Sequence, residues 1–164
     1  LDVLLMTIPV GDPELEDEPL WRYEMVFVFP PGKGRMRRSQ PTIEELREMP
    51  FILYRRTVVI DQVIRQVCAD LGFEPQVVME NDQPDSIIEL VKLGLGVSML
   101  PAWSVADEVE AGHMRVLRPP KPQINNYGLI TRKASYRPKA LLAFQEIARK
   151  WQSWWPMAKD VLPV

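Results

Sequence analysis

The chain has 164 residues, of which 26% are charged and 46% hydrophobic, and its formal net charge is −2. This composition is ordinary for a folded soluble protein, and the near-neutral charge gives no global attraction to nucleic acid. No apolar run approaches the roughly 20 residues that span a bilayer, no signal peptide is recognisable, and the single cysteine, Cys68, excludes an internal disulfide. We therefore expect a cytoplasmic protein without a membrane partner.

Four segments make up the N-terminal part. Residues 1–8 (L-D-V-L-L-M-T-I) form a short, mostly apolar run, which is typical of a buried parallel strand. Residues 14–18 are acidic and predict a solvated connection, and residues 23–29 (Y-E-M-V-F-V-F) predict a second strand. Residues 33–40 contain four cations and no aromatic residue, so we interpret them as a solvated loop.

A capping box marks the first helix. Thr42 and Glu45 have the required spacing, because the hydroxyl of the first residue and the carboxylate of the second can satisfy each other's backbone N–H groups. The pattern predicts a short helix as far as residue 48 and then a strand over residues 51–54.

The clearest helix in the sequence covers residues 58–71 and is closed by Gly72. Cys68 lies on its apolar stripe, where we expect a small core residue rather than a reactive thiol. A strand over residues 76–80 follows. The other apolar positions of the helix recur at helical spacing: Val59, Ile60, Val63, Ile64, Val67 and Leu71.

Residues 80–101 (E-N-D-Q-P-D-S-I-I-E-L-V-K-L-G-L-G-V-S-M-L-P) predict a helix, a sharp turn and a short buried strand that ends at the proline. Asp82 suits the N-cap, and Pro84 suits the first turn. Gly94 and Gly96 suit a left-handed C-cap and a tight turn from helix to strand.

The C-terminal part begins with a predicted helix over residues 102–111 and a strand over residues 114–117. The prolines within residues 118–123 form a stiff connection, which we interpret as a hinge or lobe boundary. A strand over residues 127–131 precedes a last helix over about residues 138–155. The residues expected on its buried side are Leu141, Leu142, Phe144, Ile147, Ala148 and Trp151.

The alternation of helices and strands from residue 42 to residue 117 predicts an α/β fold. In such folds, ligands bind beyond the carboxyl ends of the strands, often at helix N-termini. Two arginines and a hydroxyl follow the strand over residues 51–54 and would suit a carboxylate or another small anion, although they could equally be surface residues. The candidate ligand-binding residues in these loops are Tyr54, Arg55, Arg56, Thr57 and Asn81.

Thr7, at the carboxyl end of the first strand, is a further candidate for ligand binding or for a local turn contact. No catalytic pattern is present: His113 is the single histidine and has no nucleophile signature near it in the sequence. There is no metal-binding or dinucleotide-binding motif, so we expect no cofactor, no metal site and no enzymatic activity.

Several segments, in their order and spacing, resemble the effector-binding domain of LysR-type transcriptional regulators. They are L-D-V-L-L, E-M-V-F-V-F-P, P-T-I-E-E-L followed by P-F-I-L-Y, I-I-E-L-V-K-L-G-L-G-V-S-M-L-P and E-A-G-H-M-R-V-L. The resemblance covers almost the whole chain. It implies a two-lobed periplasmic-binding-protein-like (type 2) fold, with a complete second lobe over residues 28–126 and a partial first lobe formed by residues 1–27 and 127–164.

The resemblance also implies a function. Small effectors of this family bind in the cleft between the lobes, where they would change the angle between them, and the matching positions here are Thr7, residues 54–57 and Asn81. The winged helix-turn-helix that precedes this domain in the family is absent from the sequence, so DNA would be contacted only through that missing domain. A homo-oligomer, dimer or tetramer, is implied as well. The alternatives are a transport-type solute-binding protein of the same fold and an α/β enzyme.

Overall fold

The computed structural model describes residues 2–32, 41–55, 59–133, 137–151 and 161–163. The chain divides into two units: unit 1 comprises residues Leu1–Glu24 and Gln123–Val164, and unit 2 comprises Met25–Pro122. The assignment of residues 28–126 to a second lobe, made from the sequence, stays a prediction. None of the described helices is long and apolar enough to span a bilayer.

Unit 1 is built on antiparallel strands. Strand β1 (Leu4–Ile8) pairs antiparallel with β7 (Gln123–Arg132), and β7 lies next to β2 (Leu15–Phe29). The prediction of a parallel first strand is therefore wrong, because a short apolar run does not encode the direction of its partner. Strand β8 (Val161–Pro163) pairs with the middle of β2.

Strand β2 begins at Leu15, so most of the acidic run that was predicted to be a solvated connection is strand. Distant cations compensate its charges: Arg137 contacts Glu16, and Arg149 forms two hydrogen bonds to Glu18. Asp17 accepts a hydrogen bond from the backbone N–H of Val10 at 3.2 Å. The prediction failed because the cations that compensate Glu16 and Glu18 are remote in the sequence.

Helix α5 (Lys139–Trp151) packs through Leu141, Gln145 and Ala148, which recur at helical spacing and are buried. Ala148 joins a core cluster with residues of β2 and β7. Three residues that were predicted on the buried side are exposed instead, namely Leu142, Phe144 and Ile147. Leu141 and Ala148 are buried as predicted, whereas the polar Gln145 occupies the middle of the buried stripe, which hydropathy alone does not predict.

Unit 2 is the α/β part. Its elements are α1 (Ile43–Glu48), β3 (Phe51–Leu53), α2 (Val59–Asp70), β4 (Val77–Glu80), α3 (Pro84–Lys92), β5 (Ser98–Pro101), a 3-10 turn (Ala102–Ser104), α4 (Ala106–Glu110) and β6 (Arg115–Leu117). Strands β3 and β4 are parallel, and Val97 bridges to Phe51 in the same direction. Strands β5 and β6 pair antiparallel with the end of β2.

Local signals in the sequence mark several helix ends of unit 2. Thr42 caps α1 by accepting a hydrogen bond from the Glu45 N–H at 3.1 Å, and Gly72, Gly94 and Gly112 have the positive φ of left-handed C-caps. Gly96 has a different role: a Cβ there would lie 2.6 Å from the Pro50 carbonyl oxygen. Close approach of two backbone segments therefore requires glycine at this position.

The core of unit 2 is formed by β2, β3 and β5, together with the inner faces of the helices. Phe27, Phe51 and Met99 are fully buried, and Cys68 is a buried core residue of α2, as predicted. Burial raises the pKa of the Cys68 thiol to about 12. By contrast, β4 exposes Val78 and Met79 to solvent.

An ion pair ties α1 to β6 in unit 2. The guanidinium of Arg115 contacts both carboxylate oxygens of Glu45, at 2.6 and 3.4 Å, and its Nε donates to the Pro30 carbonyl at 3.1 Å. It also lies over the ring of Phe29, with 5.7 Å between Cζ and the ring centroid. Glu45 is thus engaged with a residue 70 positions away, which the capping-box pattern did not anticipate.

Candidate functional site

The parallel pairing of β3 and β4 places the ends of these two strands side by side. The Asn81 N–H donates to the Leu53 carbonyl at 2.9 Å, so the pairing continues into the loop that follows β4. Tyr54 and Arg55 directly follow β3, and Asn81 and Asp82 directly follow β4. Three of the predicted ligand-binding residues of unit 2 are therefore on neighbouring strand ends, where α/β folds bind their ligands.

A rigid base supports these strand ends. All three residues of β3 are fully buried, and Tyr54, the next residue, is almost fully buried. These close-packed side chains support the backbone from which Arg55 extends.

An ion pair connects the two strand ends. Arg55 Nε lies 3.1 Å from Asp82 Oδ2, and the two side chains are 65% and 43% exposed. The prediction of Asp82 as the N-cap of α3 is wrong: the N-cap is Gln83, whose side chain forms no capping bond. The Asp82 carboxylate contacts the neighbouring strand end instead.

Asn81 is half-buried and shapes its own loop. Its Oδ1 accepts a hydrogen bond from the Gln83 N–H at 2.8 Å, which is an Asx turn. Asn81 can offer its two amide N–H groups and the second lone pair of Oδ1 to a ligand.

Arg56 and Thr57 lie outside the described residues. Helix α2 begins at Val59, and Asp61 in its first turn, which was not among the predicted site residues, is buried. Asp61 Oδ2 accepts a hydrogen bond from Arg65 Nε at 2.8 Å, while Asp61 Oδ1 and Arg65 Nη2 have no hydrogen-bond partner among the described residues. A carboxylate near this helix N-terminus already interacts favourably with the helix dipole.

Thr7 belongs to unit 1 and is half-buried. Its Oγ1 lies 2.8 Å from the hydroxyl of Tyr23, which is buried. Tyr23 packs edge-on against Tyr127, whose hydroxyl donates to the Leu5 carbonyl at 3.1 Å. Burial, with a smaller contribution from Tyr23, raises the pKa of Tyr127. The contact of Thr7 is thus to a side chain 16 residues away rather than to its own turn.

His113, the acidic side chains and the cleft of unit 1 are weak candidates for catalysis, metal binding or effector binding. His113 is exposed and its Nδ1 lies 2.8 Å from the Glu108 carboxylate. No group of three or more His, Cys, Asp or Glu side chains suited to a metal ion occurs in the described part of the chain. A cleft of about 270 Å³ in unit 1 contains none of the predicted ligand-binding residues, and its lining includes the carboxylates of Asp2, Asp12 and Glu14.

Comparison with known sequences gives a match over nearly the whole chain. The family model of the LysR substrate binding domain matches residues 1–153. An HTH-type transcriptional regulator of Bacillus subtilis, YwbI, which is itself uncharacterized, is 25% identical over 161 residues, covering 98% of this chain and 52% of its own length. The chain thus spans about half the length of that curated relative.

Comparison with solved structures shows the fold. The effector binding domain of QuiR in complex with shikimate superimposes with a TM-score of 0.75 at 20% identity, covering 92% of this chain and 71% of that domain. The cofactor-binding domain of the Cbl transcriptional regulator gives a TM-score of 0.73 at 22% identity, with coverages of 91% and 66%. The two-lobed periplasmic-binding-protein-like α/β fold expected from the sequence is confirmed.

Proposed function

Because this chain belongs to the LysR substrate-binding domain family, we propose that it is the effector-sensing part of a transcription regulator. In this proposal the chain binds a small metabolite with an anionic group, and binding changes how a helix-turn-helix domain of the whole protein interacts with DNA. The family match over residues 1–153 supports the proposal most strongly. An effector can produce such a change only if it binds two conformations with different affinity.

The proposed effector-binding residues are those predicted from the sequence: Thr7, Tyr54, Arg55, Arg56, Thr57 and Asn81. The neighbouring strand ends of β3 and β4 support the choice of Tyr54, Arg55 and Asn81. Arg55 is the central residue, because its guanidinium offers several N–H donors to a carboxylate. The carboxylate ligand named for the QuiR domain, shikimate, is consistent with this chemical class.

We propose a binding function without catalysis. The relatives are transcriptional regulators, and among the described residues the histidine contacts a carboxylate while the cysteine thiol is buried. A protein of this role would work in the cytoplasm, where it reaches DNA, and as a homodimer or tetramer. Exposed apolar side chains on α5 support association, which light scattering of the purified protein would measure.

Ligand titration tests the proposal. A panel of small carboxylates that includes shikimate would be screened by thermal shift, and each hit measured by calorimetry with the wild type and with Arg55→Ala. We expect the variant to bind about tenfold more weakly, since it loses a charge-assisted hydrogen bond. Lys150→Ala is a matched control, because Lys150 is an equally exposed cation on α5 of unit 1. Equal affinity of Arg55→Ala and the wild type would contradict the assignment of Arg55.

A further inference from the structure

The strand-end site contains opposite charges in direct contact. Arg55 Nε lies 3.1 Å from Asp82 Oδ2. Both side chains are exposed enough for a ligand to reach them. The site therefore presents a cation and an anion within one contact distance of each other.

A ligand with only negative charge gains little from this arrangement. If its charge lies about 4 Å from the guanidinium and about 6 Å from the Asp82 carboxylate, the repulsion is roughly two-thirds of the attraction. The electrostatic gain of a simple anion is thus mostly cancelled.

A ligand with an ammonium group next to its carboxylate is attracted by both charges. We propose that the effector is a zwitterion of the α-amino acid type, whose carboxylate binds the Arg55 guanidinium and whose ammonium binds the Asp82 carboxylate. In an α-amino acid the two charged groups share one carbon atom, so their separation matches the contact between Arg55 and Asp82. This inference rests on the proposed effector-binding function and specifies the chemical class of the effector.

The test compares matched ligands. The twenty common L-amino acids are screened by thermal shift, and each one that binds is compared by calorimetry with its deaminated acid, which retains the carboxylate, and with its decarboxylated amine. We expect the amino acid to bind the wild-type protein about tenfold more tightly than either analogue, since each analogue loses one charge-assisted hydrogen bond.

Variants assign the preference to the two side chains. Asp82→Asn should reduce the preference for the amino acid over the deaminated acid to about threefold or less, and Arg55→Ala should weaken both ligands by about tenfold. Asp82→Glu should retain most of the preference. Glu89→Gln is the matched control: it neutralises another exposed carboxylate of unit 2 that pairs with a cation, and it should leave both affinities unchanged. Circular dichroism verifies that each variant is folded.

The outcomes separate the two proposals. Equal binding of an amino acid and its deaminated acid, or an unchanged preference in Asp82→Asn, would overturn the zwitterion assignment. If only simple carboxylates bind, and do so through Arg55, the zwitterion inference fails while the proposed function stands. If neither the amino acids nor the small carboxylates bind, both proposals fail.

Discussion

Loss of the Glu45 carboxylate should destabilise the protein more than loss of its partner, the Arg115 side chain. Arg115 is 8% exposed, whereas Glu45 is 26% exposed and lies on α1 near solvent. In Glu45→Ala the Arg115 guanidinium stays buried. Of its hydrogen bonds to Glu45 and Pro30, only the one to the Pro30 carbonyl remains. In Arg115→Met the charge is gone, and the Glu45 side chain can turn to water.

The expected losses of unfolding free energy follow from what each variant leaves behind. Breaking a buried ion pair so that one charge is left costs about 3–5 kcal/mol, and the partial exposure of Glu45 places Glu45→Ala at about 3 kcal/mol. Arg115→Met loses hydrogen bonds but fills the space with an apolar side chain, so we expect about 1 kcal/mol. Once Arg115→Met has removed the charge, Glu45→Ala adds little, so the double variant should cost about 1 kcal/mol. The two residues should therefore show a coupling energy of about 3 kcal/mol.

Urea unfolding of the four proteins, followed by circular dichroism, measures this cycle. Glu48→Ala is the control, because Glu48 is an exposed carboxylate of the same helix, and its removal should change the free energy of unfolding by less than about 0.5 kcal/mol. If Arg115→Met is as destabilising as Glu45→Ala, or if the two effects add, the buried guanidinium is not the source of the cost and the reasoning is wrong.

The remaining predictions concern close packing and thiol burial. Gly96→Ala should cost about 2 kcal/mol in urea unfolding, because its Cβ would lie 2.6 Å from the Pro50 carbonyl oxygen, and Gly94→Ala, where no atom is within 4 Å, should cost about 1 kcal/mol from backbone strain alone. An equal loss of unfolding free energy in the two variants would contradict a clash at residue 96. Cys68, with its pKa raised to about 12, is protonated at pH 8. It should react with a thiol reagent only when the protein unfolds, and fast labelling of the folded protein at that pH would disprove its burial.

The sequence was a good guide wherever structure depends on neighbours along the chain. The cap at Thr42 and the glycines after α2 and α3 were predicted, because a helix end needs a hydroxyl acceptor or a positive φ at one defined position. The family was recognised for a similar reason: the segment over residues 80–101 combines several such local signals.

Long-range pairing of charges was beyond sequence reasoning. Glu45 satisfied the capping-box pattern but contacts Arg115, and Asp82 satisfied the N-cap pattern but contacts Arg55. A carboxylate can accept several hydrogen bonds. A local sequence pattern therefore identifies one possible partner and does not exclude a distant one. The position of the candidate site could be predicted from the strand ends, whereas the pairing of Arg55 with Asp82 at that site could not.

The exposed strand β4 has a consequence for handling the protein in solution. It pairs with β3 on one side, and no further strand pairs with it in the part of the chain that the structure describes. An edge strand with Val78 and Met79 exposed is a template for adding strands from other molecules. Concentrated samples should therefore lose monodispersity with time, and Val78→Lys, which places a charge on this edge, offers a way to extend their shelf life.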